Sequence, residues 1–370
     1  CGAEQSEEEA VALETWRCVA SRLVDGENRS SAVAEICDNP QRAGAPALGQ
    51  FMVWKGLRPV LRRAVDYGVY VFVRVAIGFV QAVPLEFCER GAELLATLAS
   101  RVLRIRHHVV DENLRVAFPE MSEAQRADVA WRMWRHLFLM GAEIAQTPRK
   151  IHRTNWREHS QIVDLEKFVA TLLSGRPLVV ISAHYGNFEL GGYLMGLFGF
   201  PTYTVARQLD NLYLDRWVND FRGRTGQFIL PKRGSAESIK QVLDSGGILT
   251  LLGDQSAGKK GCWVSFFGKP ASTHKAVSLF SLGNDAPTMV SYARRLGAPL
   301  KYEVGPQAIV DPAARDFALR SVPLLAQWYT DHLENLIRKQ PDQYWWLHRR
   351  WKGQPSARAQ RRMTNRAKAA

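Results

Sequence analysis

The chain has 370 residues, 46% of them hydrophobic and 23% charged, a balance that suits a packed globular protein and excludes wholesale disorder. Lysine and arginine total 49 against 36 acids, so the net charge is +13 and the favoured partners are negative: phospholipid, phosphorylated substrate, acidic protein or nucleic acid. Five cysteines at 1, 18, 37, 88 and 262 form no C-x-x-C pair, which argues against a disulfide framework or a zinc knuckle and makes a reducing compartment the default.

Residues 1–50 hold nine acids and four bases, mix Glu-rich helical sequence with a Gly/Pro/Ala stretch, and lack the basic-then-apolar order of a signal peptide. They read as a polar appendage and linker without active-site residues, and they leave +18 on the rest of the chain. The next region, 51–100, is expected to be a hydrophobic, membrane-associated helical region. Within it Pro59 to Pro84 is apolar but split by Arg74, short of the roughly 18–20 uninterrupted apolar residues of a spanning helix. The pattern fits a bilayer-associated helix, with Arg62 and Arg63 at headgroup level and Arg74 snorkelling, and equally a buried core helix.

Ser122 and Gln125 form a capping box ahead of a long helical pattern that includes Val129, Trp131, Trp134, Leu137 and Met140. After Gly175 the run Pro177 to Ser182 suits a buried strand, ends at His184, and is followed by a helical stretch to Gly199. Further strands are expected at Thr202–Arg207, Gly247–Leu252, Ala286–Arg294 and Lys301–Val304, with helices at Asn211–Thr225, Ala236–Asp244 and Val322–Gln340. That alternation predicts an α/β domain. From Arg349 to Ala370 there are eight bases and no acid, which reads as a solvated basic tail.

His184 stands at the carboxyl end of a predicted strand, where open α/β sheets bind ligands. An imidazole there can take a proton from a hydroxyl if a carboxylate fixes its tautomer. Glu189 is the nearest candidate, but five residues on an unbroken helix set the two about 140° apart. The dyad therefore requires His184 to lie in the turn before the helix, with Gly186 supplying the backbone freedom. The plain alternative is a capping histidine beside a helix-start glutamate. Gly253 to Lys260 nearly spells a P-loop, but Lys260 stands where Ser or Thr must hold magnesium, and Gly261–Val264 reads as extended. No G-x-S-x-G, H-E-x-x-H or G-x-G-x-x-G occurs. Arg207 closes a predicted strand, Lys232 and Arg233 follow Pro231, and Arg349 and Arg350 follow Trp345 to His348; exposed arginines are commonly just solvated, but beside a His/Glu site they make a phosphate-binding rim.

His184-x4-Glu189 behind an apolar strand resembles the H-x4-[D/E] motif of the glycerolipid acyltransferase superfamily. Asn113-Leu114 through Phe118-Pro119-Glu120, Tyr203–Arg207, Gly253-Asp254-Gln255, Phe266 to Thr273 and Pro341 to Arg350 resemble, in order over about 55–352, the late acyltransferases of lipid A biosynthesis (lauroyl/myristoyl type). The resemblance implies a central mixed sheet flanked by helices, an N-terminal hydrophobic helix, an acyltransferase domain over 101–352 and a basic tail over 353–370. It implies His184 as general base, Glu189 as its orienting acid, and Arg207, Asp254 and Gln255 as substrate-binding positions; Arg233 is expected beside them as a contact for the acceptor's phosphates, from its place in a basic chain. It also implies an acyl carrier protein or coenzyme A thioester donor, a phosphorylated glycolipid acceptor, an anionic membrane partner, and the cytoplasmic face of the bacterial inner membrane. No metal or other cofactor is implied. Other members of the family acylate phosphatidylinositol mannosides or lysolipids. A nucleic-acid binder would explain the charge, but no RNA or DNA module is recognisable; an inactive membrane scaffold of the same fold is the other rival.

Overall fold

The computed structural model describes residues 54–369 apart from 233. The expectations for 1–50 and for Arg233 lie outside the described residues. The chain divides into two units after Tyr67. Of the first, the described part is the start of helix α1 (Trp54–Ala82), a helix of 29 residues that continues into the second unit.

Within α1 the stretch Leu61–Ala82 is long and apolar enough to cross a bilayer, and none of it is buried, so the core-helix reading falls away. Arg74 is exposed on this helix. It donates to the Tyr70 hydroxyl at 3.0 Å and lies 5.5 Å from the centre of the Trp217 ring. The carboxyl end of α1 is tied down by Gln146, whose Nε2 donates to the carbonyls of Val80 (2.9 Å) and Val83 (3.0 Å). Helix α2 (Leu85–Thr97) follows Pro84 and runs into a π-turn, Leu98–Val102.

Helix α3 (His107–Ala117) leads to α4 (Glu123–Lys150), whose capping box forms: Gln125 N donates to Ser122 Oγ at 3.3 Å and Ser122 N to Gln125 Oε1 at 2.8 Å. The α/β body then unfolds as β1 (Ser160–Ile162), α5 (Leu165–Leu172), β2 (Leu178–Ser182), α6 (Phe188–Leu197), β3 (Thr202–Ala206), α7 (Leu212–Gly223) and β4 (Gln227–Pro231). It continues with α8 (Ala236–Asp244), β5 (Ile248–Leu252), β6 (Cys262–Phe266), β7 (Lys269–Thr273), α9 (Ala276–Gly283), β8 (Thr288–Arg295), β9 (Tyr302–Val310), α10 (Val322–Lys339) and α11 (Ala357–Ala369).

Seven strands form one mixed sheet in the order β1-β9-β8-β2-β5-β3-β4, parallel except where β8 meets β9. Strand β2 lies at its centre, and Leu178 to Ile181 are apolar because both faces are covered. Val179 and Ile181 pack in one cluster with Ile239, Val277 and Tyr329; Leu178 and Val180 pack in another with Phe168 and Met289. The expected strands and helices of this body are present. Strands β1, β4 and β7 are additional, short or at an edge.

Strands β6 and β7 form a hairpin through Phe267 (φ 51°) and Gly268 (φ 69°), both left-handed, as a type I′ turn requires. The tail is not wholly solvated: Arg350 is buried, donating to Ser272 O at 2.7 Å and Thr273 Oγ1 at 2.6 Å beneath the Phe266 ring. A guanidinium finds two acceptors and a ring face there, which a count of bases does not foresee. Beyond it, α11 is a 13-residue helix.

Candidate active site

The site is built where β2 and β5 end. Their parallel register pairs Ser182 with Leu252, and Gly253 N donates to Ser182 O at 2.9 Å. Two residues further along each strand stand His184 and Asp254. His184 Nδ1 lies 2.9 and 3.2 Å from the two Asp254 carboxylate oxygens. Asp254 is 1% exposed at its side chain and His184 12%.

Burial pushes the Asp254 carboxyl up, but the facing imidazole and the hydrogen bonds it accepts outweigh that and hold it below the usual carboxylate range. For His184 burial pulls the pKa down, and the charge and hydrogen bond of Asp254, with a smaller contribution from the Glu189 charge, carry it above the ordinary histidine value. A buried anion facing Nδ1 keeps the Nδ1–H tautomer of His184 and leaves the lone pair on Nε2.

The turn carrying His184 is fixed on several sides. Gly186 has φ +59°, and a Cβ there would stand 2.0 Å from the Ala293 carbonyl oxygen. That approach lets Asn187 N donate to Ala293 O at 2.7 Å, while Gly186 N donates to Gln343 O at 3.0 Å and Trp345 N to His184 O at 2.9 Å. Asn187 then caps α6, its Oδ1 accepting from Leu190 N at 3.1 Å. Behind the turn, the buried Glu143 carboxylate is ion-paired with Arg295 and accepts from the Tyr302 hydroxyl. Arg295 also meets His136 Nδ1 at 2.7 Å, and His136 Nε2 donates to Gly186 O at 3.1 Å.

Glu189 is in the first turn of α6, as the helix-start alternative has it, and its carboxylate is ion-paired with Arg222. The carboxylate in contact with the imidazole is that of Asp254, while Glu189, the partner expected from the sequence, faces Arg222. Asp254, expected among the substrate-binding positions, lies buried against the imidazole. Gln255 reaches the imidazole from its other side, with Nε2 3.3 Å from His184 Nε2. Phe188, Trp345 and His348 ring His184 at centroid distances of 5.2, 5.3 and 5.2 Å.

Beside His184 opens a groove with a cavity volume of about 640 Å³. Phe188, Val205, Leu251, Val277 and Phe280 give it apolar walls, and Arg207, Arg222 and Lys232 bring positive charge to the same lining. Arg207 is exposed and 2.7 Å from Asp210. Arg222, on α7, and His348, in the segment Pro341 to Arg350, receive no site role from the sequence because each is distant in the chain from the His184 motif.

The sequence model of bacterial lipid A biosynthesis acyltransferases matches residues 58–353. The chain belongs to that family. It is similar to the lipid A biosynthesis lauroyltransferase of Escherichia coli (strain K12), 28% identical over 276 residues that cover 70% of this chain and 84% of the relative. A lipid A biosynthesis palmitoleoyltransferase of the same organism is 25% identical over 268 residues, 70% and 83% of the two chains. A phosphatidylinositol mannoside acyltransferase of Mycolicibacterium smegmatis (strain ATCC 700084 / mc(2)155) matches at 26% over 143 residues, 37% of this chain and 44% of that one. As a member of this family the protein is an acyltransferase, with a mixed α/β fold.

Proposed function

We propose that the protein moves a fatty acyl chain from an acyl thioester, on acyl carrier protein or coenzyme A, to a hydroxyl of a phosphorylated glycolipid of the lipid A precursor type. The observation that carries this reading is the 2.9 Å contact of His184 Nδ1 with a buried Asp254 at the head of a groove with apolar walls and basic residues. Neutral His184 takes the hydroxyl proton on Nε2 as the oxygen attacks the thioester carbonyl, and Asp254 stabilises the imidazolium that forms. The apolar walls suit an alkyl chain. Arg207 and Lys232, with Arg233 next in sequence, suit the acceptor's phosphates. The net charge of +13 suits an acidic carrier protein as donor.

The reaction is assigned to the cytoplasmic face of the inner membrane. Exposed Phe72, Val75 and Phe79 on α1 and a second stripe of Phe87, Leu94, Leu98 and Val102 along α2 and its π-turn support attachment to a bilayer. Arg90, Arg101 and Arg104 lie among the latter, suited to anionic headgroups. Both lipid A transferases match 70% of the chain and the phosphatidylinositol mannoside enzyme 37%, which favours the lipid A acceptor over the mannoside.

Mass spectrometry of lipids from cells lacking and overproducing the protein tests the assignment. An acyl group lost in the first and restored by wild type but not by His184→Ala is the expected result. A phosphatidylinositol-based acceptor changing instead would overturn the acceptor, and restoration by His184→Ala would overturn the base.

A further inference from the structure

We infer that the Gln255 side-chain amide donates to the oxyanion formed on the attacked thioester carbonyl, and that His348 is the positioning residue that holds this amide, a role that rests on His184 being the base. With Nδ1–H committed to Asp254, His184 Nε2 carries a lone pair. An amide oxygen facing that lone pair would be repelled, so the end of Gln255 that lies 3.3 Å away is its NH2 group. The same nitrogen lies 3.1 Å from His348 Nε2. One amide hydrogen faces each imidazole.

His348 can accept only while neutral, and burial, followed by the charge on His184, holds its pKa below the ordinary value. Its backbone is fixed as well: Asn113 Nδ2 donates to the carbonyls of Trp346 (2.8 Å) and His348 (2.7 Å). The hydrogen held by His348 therefore sets the rotation of the amide and keeps its other N–H turned toward the reaction centre.

An acceptor hydroxyl docking on His184 Nε2 takes the position of that N–H and frees it. The hydroxyl proton moves to Nε2, the oxygen bonds to the carbonyl carbon, and the π pair moves onto the carbonyl oxygen. That oxygen is two bonds from the attacking one, within reach of the freed N–H. On collapse the C–S bond breaks, sulfur leaves with the electron pair, and the proton on His184 returns to the thiolate, giving ester and thiol. A donor aimed at charge present only in the tetrahedral species lowers the barrier without tightening substrate binding.

The test uses full-length protein with dodecanoyl thioester, Gln255→Ala, Gln255→Glu and His348→Ala. The probes are a fluoroketone analogue of the acyl thioester, which binds as a tetrahedral adduct, and a thioether analogue without the carbonyl. For the Gln255 variants, kcat for transfer should fall about 10²–10³-fold, acceptor-free hydrolysis should fall in parallel, and fluoroketone affinity should drop while thioether affinity stays within about threefold. His348→Ala should show the same pattern with a smaller loss. Unchanged fluoroketone affinity in the Gln255 variants, or transfer lost with hydrolysis retained, would overturn the role. His184→Ala assayed in parallel reports on the base separately, because fluoroketone discrimination by Gln255 is read without turnover.

Discussion

His184 and Asp254, 70 residues apart in sequence, meet at 2.9 Å because their strands are hydrogen-bonded neighbours in register. The carboxylate five residues from His184 faces Arg222 instead. The carboxylate in contact with the imidazole is thus supplied by the sheet, and the glutamate of the short motif lies in the lining of the groove.

Replacing Asp254 by Asn should cost about 10²–10⁴-fold in kcat, because the tautomer and the imidazolium both lose their support. The sign of the pH effect follows from the causes. A base acts when deprotonated, so the rate falls as pH drops through the His184 pKa, which lies above the ordinary value in the native site. Removing the charge that raises it leaves burial, which lowers it, so the acid limb of kcat/KM should move to lower pH. A pH–rate profile of Asp254→Asn with an unmoved acid limb would remove Asp254 from this role.

Glu189 and Arg222 form a partly buried ion pair in the groove lining, so they should act as one unit. Glu189→Gln and Arg222→Gln should lose activity to similar extents, and the double variant should be little worse than either. Steady-state kinetics on the four proteins checks this. Additive losses would show that Glu189 acts independently of Arg222.

The strands flanking the site were legible because each is a short apolar run between turn signals, and His184 at a strand's carboxyl end marked the place of chemistry. Strand adjacency was not legible. Nothing in the residues around Gly253 states that β5 lies beside β2, and that adjacency is what brings Asp254 rather than Glu189 against the imidazole. Arg350 was read as tail because its acceptors, Ser272 O and Thr273 Oγ1, come from a hairpin nearly 80 residues earlier. The apolar helix was legible, and its exposure could only come from the fold.

Gly186→Ala should inactivate the protein and destabilise it. The new methyl would meet the Ala293 carbonyl at 2.0 Å in a left-handed conformation, so the turn must shift and lose the Asn187 N to Ala293 O bond. A strained residue of this kind costs on the order of 1–3 kcal/mol before the clash is counted. Denaturant unfolding together with transfer assays measures both effects; wild-type activity would show that the turn tolerates displacement.

Phe72, Val75 and Phe79 are exposed, so replacing all three with Ser should leave folding intact while weakening attachment to a membrane. Flotation with vesicles containing anionic phospholipid should show reduced binding of the triple variant, and salt should release only part of the wild type because apolar and electrostatic attraction act together. Unchanged flotation of the variant would place the attachment elsewhere.

Arg207 lies in the groove lining, and its partner Asp210 is as exposed as it is, so their ion pair contributes about 0–1 kcal/mol and leaves the guanidinium available to a stronger anion. A phosphate offers a bidentate match that the single contact to exposed Asp210 does not. Arg207→Ala should therefore raise the acceptor KM by about tenfold or more while the donor KM changes little, since a contact made equally in ground and transition states affects binding rather than turnover. Arg207→Lys keeps the charge but not the fork and should recover part of the loss. Initial rates with each substrate varied in turn decide the matter: a rise confined to the donor KM would assign Arg207 to the thioester carrier, and unchanged constants would leave it a solvated surface residue.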